Sequence, residues 1–332
     1  MNRCEPVPMR EMAELFLREA TARPDCPEAL IAHLTSGTTR WYPGDFAGAH
    51  AHYQKAIELY DQARHGDFAK RFGHDTRPVA EILDALTLWV LGRIDEALRL
   101  ADRALADAES AAHAPTMGLV FAYAGLLGLL RYNPEAVEAC GRALADVVSR
   151  YDLPAWWAGW VTFLQGWAKW SECAEESSLA EMRRGLAIVR EQGQLVWLSA
   201  ADASLAIAEA SAGETDAGLR RLDDALAELE RTENRWYEAE VHRVRAGILL
   251  KRDPANTAAA EQSLLTAIAI AQSQKAQSFE LRAALSLAKI YRAANRDADA
   301  HAVLAPAVEG FPSTQQFPEL TEVQTLLAAL NR

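Results

Sequence analysis

The stretch "ALTLWVLGRIDEALRLADRALADA", residues 85–108, decides the fold. A helical run containing the small residue Ala85 reaches a Leu-Gly-Arg turn at 91–93, and a second run follows with small residues at Ala97, Ala101 and Ala104. Positions i, i+4 and i+7 share one helix face. Small side chains there let two antiparallel helices approach closely, so the stretch reads as a helix–turn–helix hairpin.

The same template recurs along the chain. It places a small first-helix residue at Gly37, Ala85, Ala124, Gly166, Ala206, Gly247 and Ala288, with spacings of 48, 39, 42, 40, 41 and 41. The second-helix partners fall at Ala49, Ala97, Ala136, Ser178, Gly218, Ala260 and Ala300. These units resemble tetratricopeptide repeats, with a period longer than the roughly 34 residues of the shortest such repeat. No segment alternates apolar and polar residues long enough to argue for a strand. A single hairpin cannot bury its apolar face alone, so neighbours must stack. The expected fold is therefore all-α: a right-handed superhelical α-solenoid of about seven tetratricopeptide-like hairpins with terminal capping helices.

The expected organisation is one array over 1–332. A capping helix within 1–24 closes one end through Met12, Leu15 and Phe16. Hairpins fill 25–310, with a polar loop inserted at about 61–77. A last helix within 311–332 follows the loop "GFPSTQQFP" and presents Leu320, Val323, Leu326, Leu327 and Leu330 on one face. The inserted loop carries Arg64, His65, Lys70, Arg71, His74 and Arg77 and is expected to cap the mouth of a groove.

Three stretches carry a closer resemblance: "RFGHDTRPVAEILDALTLWVLGRIDEAL" (71–98), "ENRWYEAEVHRVRAGILL" (233–250) and "SFELRAALSLAKIYRAANRDADAHAVLAPAVEGF" (278–311). They resemble the carboxy-terminal helical-repeat region of large bacterial signalling proteins, where it follows a class III nucleotide cyclase domain and an ATPase module. It also occurs in related ATPase-containing transcriptional regulators. The similarity runs from about Pro27 to the end and implies architecture more than activity. No G-x-x-x-x-G-K-[ST] phosphate loop is present, so no catalytic residue carries over.

The resemblance to tetratricopeptide proteins also implies a concave groove lined by the second, fifth, ninth and twelfth residues of each first helix. The segment "PAWWAGWVTFLQGWAKW" (154–170) holds five of the nine tryptophans. In that register Trp160, Phe163, Trp167 and Trp170 line the groove. Equivalent positions give Trp41, Trp89 and Phe121 towards the amino terminus, then Lys251, Arg282, Lys289 and Arg292 towards the carboxy terminus. The inner wall is thus aromatic in its first half and basic at its end, where arginine would hold a peptide carboxylate through charge-assisted bonds. The competing reading is plain packing. Gly118, Gly125 and Gly128 leave space for the indoles, Ala200 and Ala203 accept the other flank, and Trp197 and Trp236 pack helix starts.

A formal charge of −12 with interspersed signs argues against a phosphate backbone as partner. The longest apolar run, LVFAYAGLLGLL at 119–130, is too short to span a bilayer, and the charged amino terminus is unlike a secretory signal. A cytoplasmic protein is expected. Cys4, Cys26, Cys140 and Cys173 form no C-x-x-C pair and read as reduced thiols. A metal site built from His50, His52, His65 and His74 fits no zinc spacing. No G-x-S-x-G, H-E-x-x-H or G-x-G-x-x-G signature occurs. The reading is a non-enzymatic protein- or peptide-binding module without cofactor or metal, serving as a scaffold or regulatory component in bacterial signalling. The alternative is a small-molecule sensor with an aromatic pocket around 156–170.

Overall fold

The computed structural model of the chain describes residues 6–23, 26–194, 196–311 and 317–330. Those residues form eighteen α-helices and no strand. Helix α1 (Pro6–Thr21) is followed by hairpin 1, α2 (Ala29–Trp41) and α3 (Phe46–Leu59), and by two short helices, α4 (Gln62–His65) and α5 (Phe68–Phe72). Hairpins 2 to 4 are α6 (Thr76–Val90) with α7 (Ile94–Ala111), α8 (Ala114–Leu130) with α9 (Pro134–Arg150), and α10 (Ala155–Cys173) with α11 (Glu176–Glu191). Hairpins 5 to 7 are α12 (Leu198–Ser211) with α13 (Thr215–Thr232), α14 (Glu238–Arg252) with α15 (Ala258–Gln274), and α16 (Gln277–Ala293) with α17 (Asp297–Val308). Helix α18 (Pro318–Leu330) stands where the first helix of an eighth hairpin would stand.

The hairpin turns follow local chemistry. Asp45 caps α3 by accepting from Gly48 N, and Asn133 caps α9 by accepting from Ala136 N, which satisfies helix-start amides. The residue two positions before the second helix takes positive φ in five hairpins: Gly44, Gly92, Tyr132, Gly213 and Asn295. Four of these are the residue types that tolerate the left-handed region, and Tyr132 is the departure.

Close helix pairing is strongest between α10 and α11. A β-carbon on Gly166 would lie 2.9 Å from Met182 N, and one on Gly185 would lie 2.5 Å from Phe163 N. Gly247 departs from the template: it is exposed, and a β-carbon there would meet nothing within 4 Å. Ala246, one residue earlier, is the buried residue of α14 at this point.

Two further expectations are corrected. The insertion at 61–77 is largely helical and has a small core of its own. Phe68 packs with Leu30 and Ile31, flanked by Phe16 and Phe72, because its apolar residues outweigh its charges once they meet α1 and α2. Helix α1 closes the array through Ala13 and Ala20, whereas Met12 is 68 % exposed and Leu15 also faces outward. The loop at 310–318 falls, over 312–316, outside the described residues, as does Cys4. No described helix is long and apolar enough to cross a membrane.

The coil winds tightly enough for its ends to overlap, and the overlap follows a rule: the turn of one hairpin meets the start of the hairpin five later. Trp41, at the turn of hairpin 1, stacks on Trp236 at the start of hairpin 6 with ring centroids 4.3 Å apart. Trp89, at the turn of hairpin 2, packs edge-on against Phe279 of hairpin 7, and Ser278 Oγ donates to Trp89 O at 2.5 Å. The turn of hairpin 3, Arg131–Asn133, faces Phe317–Thr321 at the start of α18. One cluster of buried residues runs from Leu34 to Leu326 as a consequence.

Candidate functional site

The inner wall is largely closed by this overlap. Every residue of α6 except Arg77 is buried. Of the aromatic residues expected to line an open groove, Trp41, Trp89, Phe121, Trp160, Phe163 and Trp167 are all buried, Trp89 completely so. Trp170 is half-buried against the same core. The physical reason differs along the coil: Trp41 and Trp89 meet the hairpin five later, whereas the aromatic residues of α10 are covered by the hairpins next to them. Trp160 sits 5.0 Å from Trp197 and 5.7 Å from Phe163 between ring centroids. The space left by Gly118 is taken by Trp157, 3.2 Å from where a β-carbon would be, and that left by Gly125 by Leu164. Trp236 and Trp197 sit at helix starts, and Trp236 Nε1 donates to Val196 O at 3.0 Å.

The basic end divides. Lys251, Lys289 and Arg292 are exposed. Arg282 is 4 % exposed and already holds a carboxylate. Its Nε donates to Glu319 Oε1 at 2.6 Å, and its Nη2 lies 2.5 Å from the same oxygen. One turn along α18, Glu322 pairs with Lys289 at 2.7 Å. The acidic face of α18 therefore lies on the basic wall of α16. Beneath it Leu320, Val323 and Leu326 are buried, a stripe at i, i+3 and i+6.

Around Arg282 the site is aromatic and charged. The guanidinium lies over Trp89 at 4.8 Å, Tyr132 at 5.0 Å and Phe317 at 5.7 Å, within the range of cation–π attraction. Its Nη1 is 3.6 Å from Glu240 Oε2 and finds no hydrogen-bond acceptor among the described residues. Arg243 spans the other side, with Nε donating to Glu240 Oε1 at 2.7 Å and Nη2 donating to Tyr132 Oη at 2.7 Å. Burial works against the Arg243 charge, but Glu240 and Tyr132 outweigh it and hold the guanidinium firmly protonated. A cleft of about 490 Å³ opens here, between residues 131–135 and 317–321 and beside Trp89. Sequence patterning missed Tyr132 and Glu240; a bulky residue where other hairpins use Gly44, Gly92 and Gly213 was the available signal.

The remaining charged groups stitch hairpins together. Asp202 on α12 accepts from Arg190 at 2.7 Å and Arg221 at 3.2 Å; its burial raises the carboxyl pKa, and the arginines only partly oppose this. Burial also pushes Glu209 upward, but Arg221 and Arg183 outweigh it and keep the group below the ordinary glutamate range. Glu81 takes Arg77 at 3.2 Å and Arg103 at 2.8 Å. Of the histidines considered as ligands, His50 pairs with Asp84 and His52 faces His33, while His65 accepts from Asp61 N. No group of three or more His, Cys, Asp or Glu side chains suited to a metal occurs among the described residues.

No protein-family model matches the chain. A curated protein of Rhizobium meliloti (strain 1021), described as uncharacterized, is 27 % identical over 248 residues, covering 73 % of this chain and 24 % of that protein. The chain thus spans about a quarter of the length of this relative. Among solved structures, the crystal structure of Rap protein complexed with competence and sporulation factor aligns with 91 % of this chain and 74 % of its own, at a TM-score of 0.50 and 12 % identity. The yeast Tom70 structure aligns with 98 % and 59 %, at a TM-score of 0.45 and 14 % identity. The chain has a tetratricopeptide-like α-solenoid fold, shared with the Rap protein structure.

Proposed function

We propose that the chain is a non-catalytic protein- or peptide-binding module that uses the wall of its last hairpins. The observation carrying this reading is that the wall already holds an amphipathic helix of its own, with Arg282 on Glu319 and Lys289 on Glu322 above a buried apolar stripe. A surface that holds α18 has the features of helix-in-groove recognition: an apolar track, an aromatic anchor site and flanking charge. Lys251 and Arg292 are exposed, and the repeat register that gives Arg282 and Lys289 supports their belonging to the same basic wall. The Rap protein structure, which shares the fold, was solved as a complex with competence and sporulation factor, which favours a peptide or protein as the partner class. The resemblance of residues 27–332 to the helical-repeat region of cyclase–ATPase proteins supports a scaffold or regulatory role in a cytoplasmic bacterial signalling system.

The test is partner capture from native lysate with mass spectrometry. Wild type is compared with a Lys251→Glu/Arg292→Glu variant, whose exposed substitutions should leave the melting temperature unchanged. The expected result is a specific protein retained by wild type and reduced at least tenfold with the variant. Identical capture by both, or no specific capture by either, would sink the reading.

A further inference from the structure

The three overlaps between early turns and late helix starts are not equally filled. At the first, a β-carbon on Gly44 would lie 2.3 Å from Gln274 Nε2, and at the second, one on Gly92 would lie 2.7 Å from Gln277 Oε1. At both junctions the turn is already met by side chains of the later hairpin. The third, between the turn of hairpin 3 and α18, keeps the cleft of about 490 Å³.

The late partner at this junction is also the least anchored. Helix α16 buries eleven of its 17 residues, α18 only three of 13. Segments with few buried apolar contacts open locally at a free energy below that of global unfolding. Two residues of the receiving side carry features that α18 does not use. Arg282 is 4 % exposed, yet its Nη1, 3.6 Å from Glu240, has no hydrogen-bond acceptor among the described residues, although buried polar groups are as a rule satisfied. Tyr132 sits at φ 51°, where glycine serves in hairpins 1, 2 and 5, and the residue is 44 % exposed and lines the cleft. Left-handed backbone in a non-glycine residue is costly and persists where the surroundings impose it. The ring is held by Arg243 through its hydroxyl and by Arg282 through its face.

We infer that α18 is a displaceable resident of this wall, and that its competitor is a helical segment of a partner protein carrying an aromatic residue with carboxylates two and five positions later. The spacing is that of Phe317, Glu319 and Glu322. Phe317 sits against Trp89 at 5.9 Å under the Arg282 guanidinium, while Glu319 and Glu322 take Arg282 and Lys289. A competitor that also filled the cleft would offer Arg282 Nη1 an acceptor and cover the Tyr132 ring, neither of which α18 does. This rests on the proposed binding role of the same wall and adds the resident helix and the partner's chemistry.

The test uses the full chain and a labelled peptide of its own residues 317–330 as the probe. In a Phe317→Ala/Glu319→Gln variant, the probe should bind at least tenfold tighter than to wild type, and adding Tyr132→Gly should remove that gain. Hydrogen exchange on wild type alone should show α18 amides exchanging at least a hundredfold faster than those of α16. Equal probe affinity for wild type and variant, a variant that no longer folds, or α18 protection equal to that of α16 would each overturn the inference. A concentration-dependent dimer of the wild type through exchanged α18 would give the cleft to a second copy and overturn the partner reading. Partner capture lost through Lys251→Glu/Arg292→Glu with no effect of α18 variants leaves the binding role standing and removes this inference alone.

Discussion

The first two overlaps and the third are built from the same parts with opposite outcomes. Trp41 on Trp236 and Trp89 on Phe279 are sealed, with glycines at the turns because no side chain fits. At the third overlap a tyrosine replaces the glycine, the late partner is helix α18, and a cleft remains. A sealed junction confers stability and offers nothing to a partner. A loosely filled one gives up stability and keeps a surface that something else can use.

The largest expected effect separates the two kinds of junction directly. Trp89→Ala should cost about 3–5 kcal/mol in denaturant unfolding, as for other buried tryptophans. Phe317→Ala should cost less than about 2 kcal/mol, because α18 opens by itself and its truncation is felt only locally. Equal losses would erase the distinction between the junctions. Next comes the turn position. Gly92→Ala, at φ 81° and against Gln277, should destabilise by about 1–3 kcal/mol, whereas Tyr132→Gly should be neutral or gain up to about 1 kcal/mol. A clear loss of melting temperature with Tyr132→Gly would mean that the ring is structural glue.

A smaller effect tests the template away from both junctions. Gly247→Ala on the exposed side of α14 should stabilise by about 0.5–1 kcal/mol, since nothing opposes the added methyl group and helical glycine is entropically costly. The shallowest effect is in pH. Burial first, then the neighbouring His52 and Lys55, lowers the His33 pKa to about 4 from 6.5, and His52 is lowered too. Between those values the unfolded chain binds the proton and the folded chain does not, so stability is full above pH 6.5 and is lost as pH falls towards 4. Hairpin 1 carries this pair and α18 carries no histidine. His33→Gln should therefore flatten the acid limb of a melting-temperature profile without changing α18 exchange. An unchanged limb would place the acid sensitivity elsewhere.

The hairpin array was legible because its cause is local. Small residues such as Gly166 and Ser178 mark where two sequence-adjacent helices touch, and their period is printed in the chain. The closed inner wall was not legible in the same way, since Trp41 meets Trp236 and Trp89 meets Phe279 across distances that no periodicity records. That is why Trp41 and Trp89, read as groove lining, are buried. A trace was present: aromatic helix starts at Trp197, Trp236, Phe279 and Phe317 gather in the second half, opposite turn glycines 44 and 92 in the first. Arg282 was expected to meet a partner's carboxylate; the carboxylate it holds in the structure is the chain's own Glu319, on a helix whose pattern marked it only as a cap.

The bond between Ser278 and Trp89 joins residues 189 positions apart. Arrays in which each repeat touches only its neighbours can grow or shrink by whole repeats and can nucleate anywhere. A chain whose early turns must find helix starts five hairpins later has exchanged that modularity for high contact order, which slows folding and makes it more nearly all-or-none. Inserting or deleting one hairpin between the third and the sixth would shift every overlap out of step at once, so the number of hairpins between contacting partners is fixed by geometry.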